Sequence, residues 1–133
     1  MFFEAVEVYG HWYGLHVNFI KNAIANEKIL IVDVDIAGAE QIYKSGMACN
    51  FMFVKVPSVE VLEQRLKDQH FHDEDTIKKR VAKYPDEVKR AEDLEMCYMI
   101  MNDDKTKFLE EALHHVNHQY CFSTEPHTHT LKH

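Results

Sequence analysis

The chain has 133 residues, of which 46% are hydrophobic and 28% are charged, and its formal net charge is -7 at pH 7. This length and composition are typical of one globular domain with a modest core. The negative charge argues against a nucleic-acid-binding protein, because phosphate contacts need clustered lysines and arginines. The longest apolar runs, 29-ILIV-32 and 96-MCYMIM-101, are far shorter than a membrane span.

The three cysteines, Cys49, Cys97 and Cys121, are widely spaced and include no C-x-x-C pair. An odd number of cysteines without such a pair argues against a disulfide framework and against a zinc site. We therefore expect free thiols in a reducing compartment, and a cytoplasmic protein. The first residues, MFFEAVE, lack the basic stretch with which a signal peptide begins.

The first half of the chain predicts two strands and two helices. Residues 2–9 alternate partly in the manner of a strand, and apolar residues recur at helical spacing from 16 to 26. Residues 29–34 form a nearly continuous β-branched run, which predicts a strand buried on both faces of a parallel sheet. A short helix is expected over residues 39–44.

The second half of the chain predicts helices with identifiable caps. Residues 49–56 predict a further strand. Ser58 is a suitable N-cap for a helix over residues 59–69, and Asp73 can cap a charged helix over residues 74–83.

Pro85 is expected to start a new helix, because proline suits the first turn of a helix and damages its interior. A third core strand is expected over residues 96–101, followed by an amphipathic helix over residues 105–118. Residues 119–133 are rich in histidine and lack periodicity, which predicts an irregular tail. Strands that alternate with helices indicate an α/β domain with a parallel sheet.

Two acidic segments in the first half carry candidate functional residues. Glu4 precedes aromatic residues bracketed by glycines; a carboxylate can bind the edge of guanine, and the hydroxyl of Tyr13 can reach phosphate. Asp33 and Asp35 end the predicted strand at a spacing of two, so they should point the same way, toward a metal ion or basic groups. The structural alternatives are a hairpin with packed aromatic residues and a capped strand end.

Two further segments lie in the second half. Arg65 and Arg80 flank the polar loop 70-HFHDED-75, and arginines on a mobile segment can close over phosphates. A solvated pair of helices is the structural alternative for these arginines. Asn102 follows a predicted strand in 100-IMNDD-104, where it can help to cap the next helix or line the pocket of a nucleotide base.

His114 and His118 are four residues apart on a predicted helix, so they could present two imidazoles to a metal ion. The segment has no H-E-x-x-H arrangement and no evident third ligand. Surface histidines are therefore the favoured interpretation.

In order and spacing these segments resemble the guanylate kinase family over roughly residues 2–118. The matching motifs are E-x(5)-G-x-[YW]-Y-G, D-[IV]-D-x-x-G, P-S-x-E-x-L-x-x-R-L, a K-R pair after the lid, and N-D-D. The resemblance implies an α/β fold with the parallel sheet of P-loop kinases, incomplete at its N-terminal side. It divides a domain over residues 1–118 into a GMP-binding segment (2–26), a core (27–58 and 84–118) and a lid-like segment (59–83).

Members of this family transfer a phosphoryl group from MgATP to GMP. By resemblance, the residues expected at the GMP site are Glu4, Tyr13 and Asp35. The residues expected on the ATP side are Asp33, which would act on the metal indirectly, the catalytic lid arginines Arg65 and Arg80, and Asn102 near adenine.

The sequence departs from the family pattern where catalysis is concerned. No G-x-x-x-x-G-K-[ST] phosphate loop occurs in the 133 residues. Leu15 stands where a hydroxyl residue contacts guanine, and Gln69 stands where the lid carries another arginine. Because phosphoryl transfer depends on positioning and electrostatics, these losses should remove most of the rate enhancement.

We therefore expect a degenerate, non-catalytic domain that serves as a binding or structural subunit of a larger assembly and requires no cofactor. The alternative is a fragment of an active guanylate kinase that uses Mg and ATP and is completed upstream or by another chain. An unrelated binding module is a third interpretation. A parallel sheet without its phosphate-loop strand exposes an edge or a face, so we expect a protein partner or a homo-oligomer to cover it, with GMP as a further ligand.

Overall fold

The computed structural model describes residues 2–8, 11–95 and 97–120, with the backbone alone for the residues up to Val17. The elements in chain order are β1 (Phe2–Val8), β2 (His11–His16), α1 (Val17–Ala25), α2 (Ile36–Lys44), β3 (Phe51–Lys55), α3 (Val59–Asp68), α4 (Glu74–Asp93), β4 (Cys97–Met101) and α5 (Lys105–Tyr120). The strands of these residues form two separate pairs, β1 with β2 and β3 with β4. The predicted α/β class is confirmed.

The N-terminal segment is an antiparallel hairpin followed by a helix. Val8 pairs with His11 at one end of the ladder, and the register shifts between Phe2 and Glu4, which indicates a bulge near the start of β1. β1 contacts α2, so the hairpin lies beside the parallel-sheet part of the chain. The predicted helix at 16–26 is confirmed by α1.

The core lies on the parallel pair β3 and β4, in which Phe51 is opposite Cys97 and Lys55 is opposite Met101. Parallel neighbours need a long crossover, and here α3 and α4 supply it. A buried cluster from α2, α4 and the α4–β4 connection packs against both strands: Ile36, Ala39, Ala91 and Leu94. The predicted strands at 49–56 and 96–101 are confirmed with slightly narrower bounds.

The predicted strand at residues 29–34 is wrong. These residues form no regular element, and Ile31 is 81% exposed. A strand needs a hydrogen-bonded neighbour, and the backbone of this segment makes no hydrogen bond with residues 18–95 or 97–120. The β-branched sequence therefore has strand propensity without a strand beside it in the described part of the chain.

The predicted restart of the helix at Pro85 is also wrong, because α4 continues through this residue. Proline removes a backbone donor and costs a helix interior about 3 kcal/mol. However, α4 packs against α2, α3, β3 and β4, and this tertiary packing outweighs the local cost. The unbroken helix places Arg80, Tyr84 and Glu87 on one face, at spacings of four and three.

The predicted helix caps are confirmed. The Ser58 hydroxyl accepts a hydrogen bond from the Val61 N–H at 3.2 Å at the start of α3. At the start of α4, Asp73 Oδ1 accepts from the Thr76 N–H at 2.7 Å. Both helices therefore begin where a side-chain oxygen satisfies a free backbone donor.

The last described element is α5, which confirms the predicted amphipathic helix. The helix continues to Tyr120, two residues into the tail that was predicted to be irregular. The remainder of that tail, residues 121–133, lies outside the described residues. No helix in the described ranges is both long and apolar enough to cross a bilayer.

α2 begins three residues earlier than predicted because Asp35 caps it. The Gly38 N–H donates to Asp35 Oδ1 at 2.8 Å, and α2 starts at Ile36. An N-cap carboxylate satisfies one of the free donors of the first turn and interacts favourably with the helix dipole. Asp35 therefore has a structural role in the described fold.

A bidentate ion pair joins α2 to α4. Arg90 Nε lies 2.8 Å from Glu40 Oε1, and Arg90 Nη2 lies 2.6 Å from Glu40 Oε2. The hydrogen bonds from Arg90 lower the pKa of Glu40 below its ordinary value. Since Glu40 and Arg90 are the chain neighbours of the buried Ala39 and Ala91, the pair holds the two helices together beside the core.

Removing the Asp35 cap tests its structural role. Asp35→Ala should lower the free energy of unfolding by about 1 kcal/mol, because the Gly38 N–H loses its acceptor. Asp35→Asn should retain most of that stability, since asparagine caps nearly as well as aspartate. Asp33→Ala is the matched control on the exposed neighbouring carboxylate. Urea unfolding measures all three; an equal loss in Asp33→Ala and Asp35→Ala would contradict the cap.

Replacing Glu40 tests the ion pair. Glu40→Gln should lower the free energy of unfolding at neutral pH by about 1 kcal/mol, because two charge-assisted hydrogen bonds become neutral ones. The pKa of Glu40 in the folded state lies below its ordinary value of 4.5. The stabilisation by the ion pair is therefore fully present above about pH 4.5, and it is lost as the pH falls through the pKa of the folded state. Urea unfolding of the wild type and the variant at neutral and acidic pH should show the difference shrinking in acid.

Glu63→Gln is the control for that measurement. Glu63 pairs with Lys67 at 2.6 Å on the exposed surface of α3. An exposed pair of this kind is screened by solvent and contributes little, so the loss should be much smaller than that of Glu40→Gln. Equal losses in the two variants, or a loss in Glu40→Gln that is independent of pH, would contradict the role of the pair.

Candidate functional site

A cavity of about 500 Å³ lies between residues 32–36 and β3, with further walls from α3 and α4. Three of the predicted site residues line it: Asp33, Asp35 and Arg80. The aspartates come from the segment before α2, and the arginine comes from the middle of α4. The fold therefore brings together residues that are more than forty positions apart in the sequence.

The two aspartates have different environments. Asp35 is partly buried, and one of its oxygens is used by the Gly38 N–H. Asp33 is exposed at the wall of the cavity. The prediction that both end a strand and point the same way is wrong, because the segment forms no strand and Asp35 turns to its own helix. Asp33 is the carboxylate better placed to meet a ligand.

The face of α4 that lines the cavity also fastens it to β3. The Val56 N–H donates to the Tyr84 hydroxyl at 2.9 Å, and that hydroxyl lies 3.5 Å from the Val56 carbonyl oxygen. Tyr84 thus provides a hydrogen-bond acceptor for the backbone N–H of Val56, just beyond the end of β3. Arg80 and Glu87 lie on either side of Tyr84 along the helix, so this bond sets where their side chains enter the cavity.

Glu87 is a carboxylate that sequence reasoning missed. Burial raises the pKa of Glu87; the nearby Lys83 opposes this rise, and the Asp35 carboxylate adds to it. The spacing of Arg80, Tyr84 and Glu87 is a signal in the sequence, but only for a helix that continues past Pro85. Because a helix break was expected at Pro85, the three residues were not recognised as one helix face.

The charged side chains that line the cavity are mostly acidic. Three carboxylates, those of Asp33, Asp35 and Glu87, face one guanidinium, that of Arg80. Such a lining attracts cations and repels a bare phosphate group. The cavity is therefore suited to a cationic side chain or to a metal-bound anion.

The family resemblance implies a magnesium ion, and the carboxylates that line the cavity are its candidate ligands. Within the described ranges, no group of three or more histidine, cysteine, aspartate or glutamate side chains is placed to hold a metal ion. Magnesium is commonly bound by one or two carboxylates together with substrate phosphates and water. The described residues therefore fit a shared, indirect role for Asp33, and they do not fit a site made by the protein alone.

Arg65 and Asn102 lie together at a second place, at the carboxyl end of β4. Arg65 Nη1 donates to the Asn102 carbonyl oxygen at 2.7 Å, and the Asn102 N–H donates to the Lys55 carbonyl oxygen at 2.8 Å. Neither residue lines the cavity. The two predicted catalytic arginines are therefore separated, with Arg80 at the cavity and Arg65 tied to the end of the sheet.

The predicted guanine-binding residues belong to the hairpin. Glu4 is opposite Leu15 in the register, and Val6 is opposite Tyr13. Because residues two apart on a strand share a face, and so do directly paired residues, the positions of Glu4 and Tyr13 fall on the same face of the hairpin. Their side chains lie outside the described part of the structure.

The histidines of α5 agree with the surface interpretation. His114 and His118 are exposed, and their rings stack with centroids 6.5 Å apart. Between them along the chain, His115 stacks on Tyr98 of β4 with centroids 4.0 Å apart. This last contact helps to hold α5 against the sheet.

Curated proteins that are similar in sequence to this chain include three guanylate kinases. The curated guanylate kinase of Synechocystis sp. is 34% identical over 111 residues, which are 84% of this chain and 55% of that protein. The guanylate kinase of Myxococcus xanthus is 34% identical over 103 residues, 77% of this chain and 49% of that protein. That of Carboxydothermus hydrogenoformans is 33% identical over 103 residues, 77% of this chain and 50% of that protein. The chain thus spans about half the length of these curated relatives.

The family model described as guanylate kinase matches residues 1–120. The matched range contains the hairpin, the cavity and the bond between Arg65 and Asn102. It confirms the resemblance drawn from the motifs and the parallel-sheet fold that the resemblance implies. The chain belongs to the guanylate kinase family.

Proposed function

We propose that this chain is a non-catalytic guanylate-kinase domain that binds GMP and serves as a binding or structural subunit of a larger assembly. The observation that carries the proposal is the charge of the cavity. Where a phosphotransferase needs positive groups, the described residues that line the cavity include three carboxylates, those of Asp33, Asp35 and Glu87, and one guanidinium, that of Arg80.

Electrostatics argue against phosphoryl transfer by this chain. The transferred group carries negative charge, and its stabilisation by preorganised cations and backbone donors supplies most of the rate. The 133 residues contain no Gly-rich phosphate loop with its lysine. Arg65, the other predicted catalytic arginine, donates to the Asn102 carbonyl and lies apart from the cavity. Removing one such donor commonly lowers the rate by a factor of about 10² to 10³.

Recognition of GMP does not require the phosphate loop or the catalytic arginines. The hairpin carries Glu4 and Tyr13 on one face, and both residues match the family pattern for the guanine edge and the phosphate. A carboxylate accepts the two adjacent N–H donors of guanine, which adenine lacks. Leu15, opposite Glu4, supplies no hydroxyl, so we expect GMP to bind more weakly than in the complete family pattern.

The second candidate function is a part of an active guanylate kinase. It is favoured by the three relatives, which are guanylate kinases 33–34% identical to this chain, and by the fact that the chain spans about half of their length. In that case Mg and ATP are its cofactors. Asp33 would contact the hydration shell of magnesium, and Arg80 would enter the nucleotide side from α4.

A coupled assay separates the two functions. With MgATP and GMP, the 133-residue chain should form no ADP that depends on GMP, because its 133 residues do not include the Gly-rich loop and lysine that stabilise the transferred phosphoryl group. ADP formation is followed through pyruvate kinase and lactate dehydrogenase, with Asp33→Ala as the comparison. Turnover in the wild type that Asp33→Ala lowers by about 10²-fold would contradict the proposal and support the active fragment.

Fluorescence titration tests the GMP site. The chain has a single tryptophan, Trp12, which lies in β2 beside Tyr13 and reports binding at the hairpin. Glu4→Gln should weaken GMP binding roughly tenfold or more, because a charged acceptor for guanine is lost. AMP should bind more weakly than GMP to the wild type.

Glu7→Gln is the matched control for that titration. Glu7 lies three residues after Glu4 on the same strand, and so on the opposite face of the hairpin. Its substitution removes the same charge and should leave GMP binding within about twofold of the wild type. Equal weakening by the two substitutions, or equal binding of GMP and AMP, would contradict guanine recognition at Glu4.

A further inference from the structure

The lid-like segment, residues 59–83, is connected to the rest of the described chain at two ends. It follows β3 through the connecting residues 56–58, and it stops within α4, where Tyr84 is the next residue. A hinge motion of such a segment needs a few residues at its ends that can change their backbone angles. The structure at these two ends therefore decides whether the segment can move against the sheet.

The first end is restrained at each of its three connecting residues. Val56 precedes a proline, which favours an extended backbone, and Pro57 has a fixed φ. Ser58 is extended, with φ -156° and ψ 166°, and its hydroxyl accepts a hydrogen bond from the Val61 N–H at 3.2 Å. This end thus lacks the conformational freedom that a hinge needs.

The second end is a weak point of α4. Pro85 has no N–H, so the Val81 carbonyl oxygen one turn earlier lacks its usual intrahelical donor. Proline is one of the few features at which helices bend sharply. Pro85 lies two residues after the last residue of the lid-like segment. We therefore expect α4 to bend most easily where this segment meets the core, unless another contact holds it there.

One hydrogen bond joins the two ends directly. The Val56 N–H donates to the Tyr84 hydroxyl at 2.9 Å, so the residue before Pro57 is bonded to the residue before Pro85. Both partners are half-buried, where a hydrogen bond is electrostatically stronger than it is in water. A change in the angle between β3 and α4 would stretch or break this bond. It therefore opposes bending at the weak point of the helix.

A second hydrogen bond fixes the interior of the lid-like segment. Arg65 Nη1, from α3, donates to the Asn102 carbonyl oxygen at 2.7 Å. The Asn102 N–H is itself bonded to the Lys55 carbonyl oxygen at 2.8 Å, so the position of Asn102 is set by the ends of both strands. A hydrogen bond from a guanidinium is stronger than one between neutral groups. α3 is thus tied to the end of the sheet at a point away from the connection to β3.

We propose that these two hydrogen bonds form a hinge clamp, Val56–Tyr84 together with Arg65–Asn102, which fixes the lid-like segment against the sheet and prevents it from closing over a ligand. One bond alone leaves the segment able to turn about it, whereas two separated bonds oppose that rotation. The proposal replaces the mobile segment expected from the sequence with a rigid one. It goes beyond the proposed function, because it concerns the motion of the segment and not the ligand of the domain.

NMR relaxation dispersion tests the clamp, because it detects the microsecond-to-millisecond motions typical of lids and hinges. In the free wild-type chain, the amides of residues 59–83 should show no more exchange broadening than those of β3 and β4. The double variant Tyr84→Phe, Arg65→Met removes both bonds and keeps the aromatic ring and the aliphatic stem. It should show broadening across residues 59–83, because such losses raise the population of a displaced position by a factor of roughly twenty or more.

A control double variant matches these changes at positions outside the clamp. Tyr43→Phe also removes a tyrosine hydroxyl, which bonds to Glu95 at 3.3 Å. Lys67→Met also removes a positive charge from the exposed surface of α3. The two substitutions together should leave the dispersion of residues 59–83 as it is in the wild type.

Hydrogen exchange separates the clamp from a merely structural role. Loss of the clamp should accelerate amide exchange with solvent in residues 59–83 and leave β3 and β4 as protected as in the wild type. General destabilisation would accelerate exchange in both strands as well, and this result would overturn the proposal. Broadening of residues 59–83 in the wild type, or equal dispersion in the clamp and control variants, would overturn it too.

The clamp and the proposed function are decided by different measurements on the wild-type chain. Titration with GMP, followed through Trp12, reports on the hairpin, whereas relaxation dispersion reports on residues 59–83. A rigid segment in a chain that does not bind GMP would support the clamp and contradict the proposed function. A mobile segment in a chain that binds GMP would overturn the clamp alone.

Discussion

The packing of α4 across the parallel strands is the constraint on which the rest of the described structure depends. Ala91 of α4, together with Leu94 just beyond it, forms the buried cluster with α2. Arg90 fastens the same helix to Glu40 through two hydrogen bonds. Tyr84 fastens it to the end of β3. One helix therefore sets the spacing between α2, β3 and the cavity.

This constraint also decides the chemistry of the cavity. Because α4 is unbroken at Pro85, Arg80 and Glu87 enter the same space, and the partly buried carboxylate of Glu87 comes near that of Asp35. The result is a predominantly acidic lining of the cavity. Cationic groups brought by a partner would complement that lining, whereas free phosphate would be repelled. The acidic lining thus agrees with the proposed role of a domain that binds a complementary partner.

Local signals predicted most of the elements correctly. Ser58 and Asp73 begin α3 and α4 because capping depends on a few neighbouring atoms, which the sequence states directly. The parallel pairing of the strands near Phe53 and Met99 followed from the alternation of strands with helices. The motifs were sufficient to identify the family, since their order and spacing extend along most of the chain.

The errors arose where a residue's state depends on distant partners. Residues 29–34 have the composition of a buried strand, yet a strand exists only beside another strand, and propensity cannot supply one. Pro85 disfavours a helix locally, and only the contacts of α4 with the sheet and α2 show that the helix continues. For the same reason Glu87 and Tyr84 were missed as cavity residues.

The sequence by itself determined the family, the class of fold, the helix caps and the absence of a Gly-rich phosphate loop from these 133 residues, because each of these depends on residue identity at short spacing. Tertiary structure alone decided that Asp33 is exposed while Asp35 caps a helix, that Arg65 binds the Asn102 carbonyl instead of joining Arg80, and that the Tyr84 hydroxyl accepts a hydrogen bond from the Val56 N–H just beyond β3. These outcomes depend on which backbone and side-chain groups meet across the fold. Groups far apart in the chain are brought together only by packing.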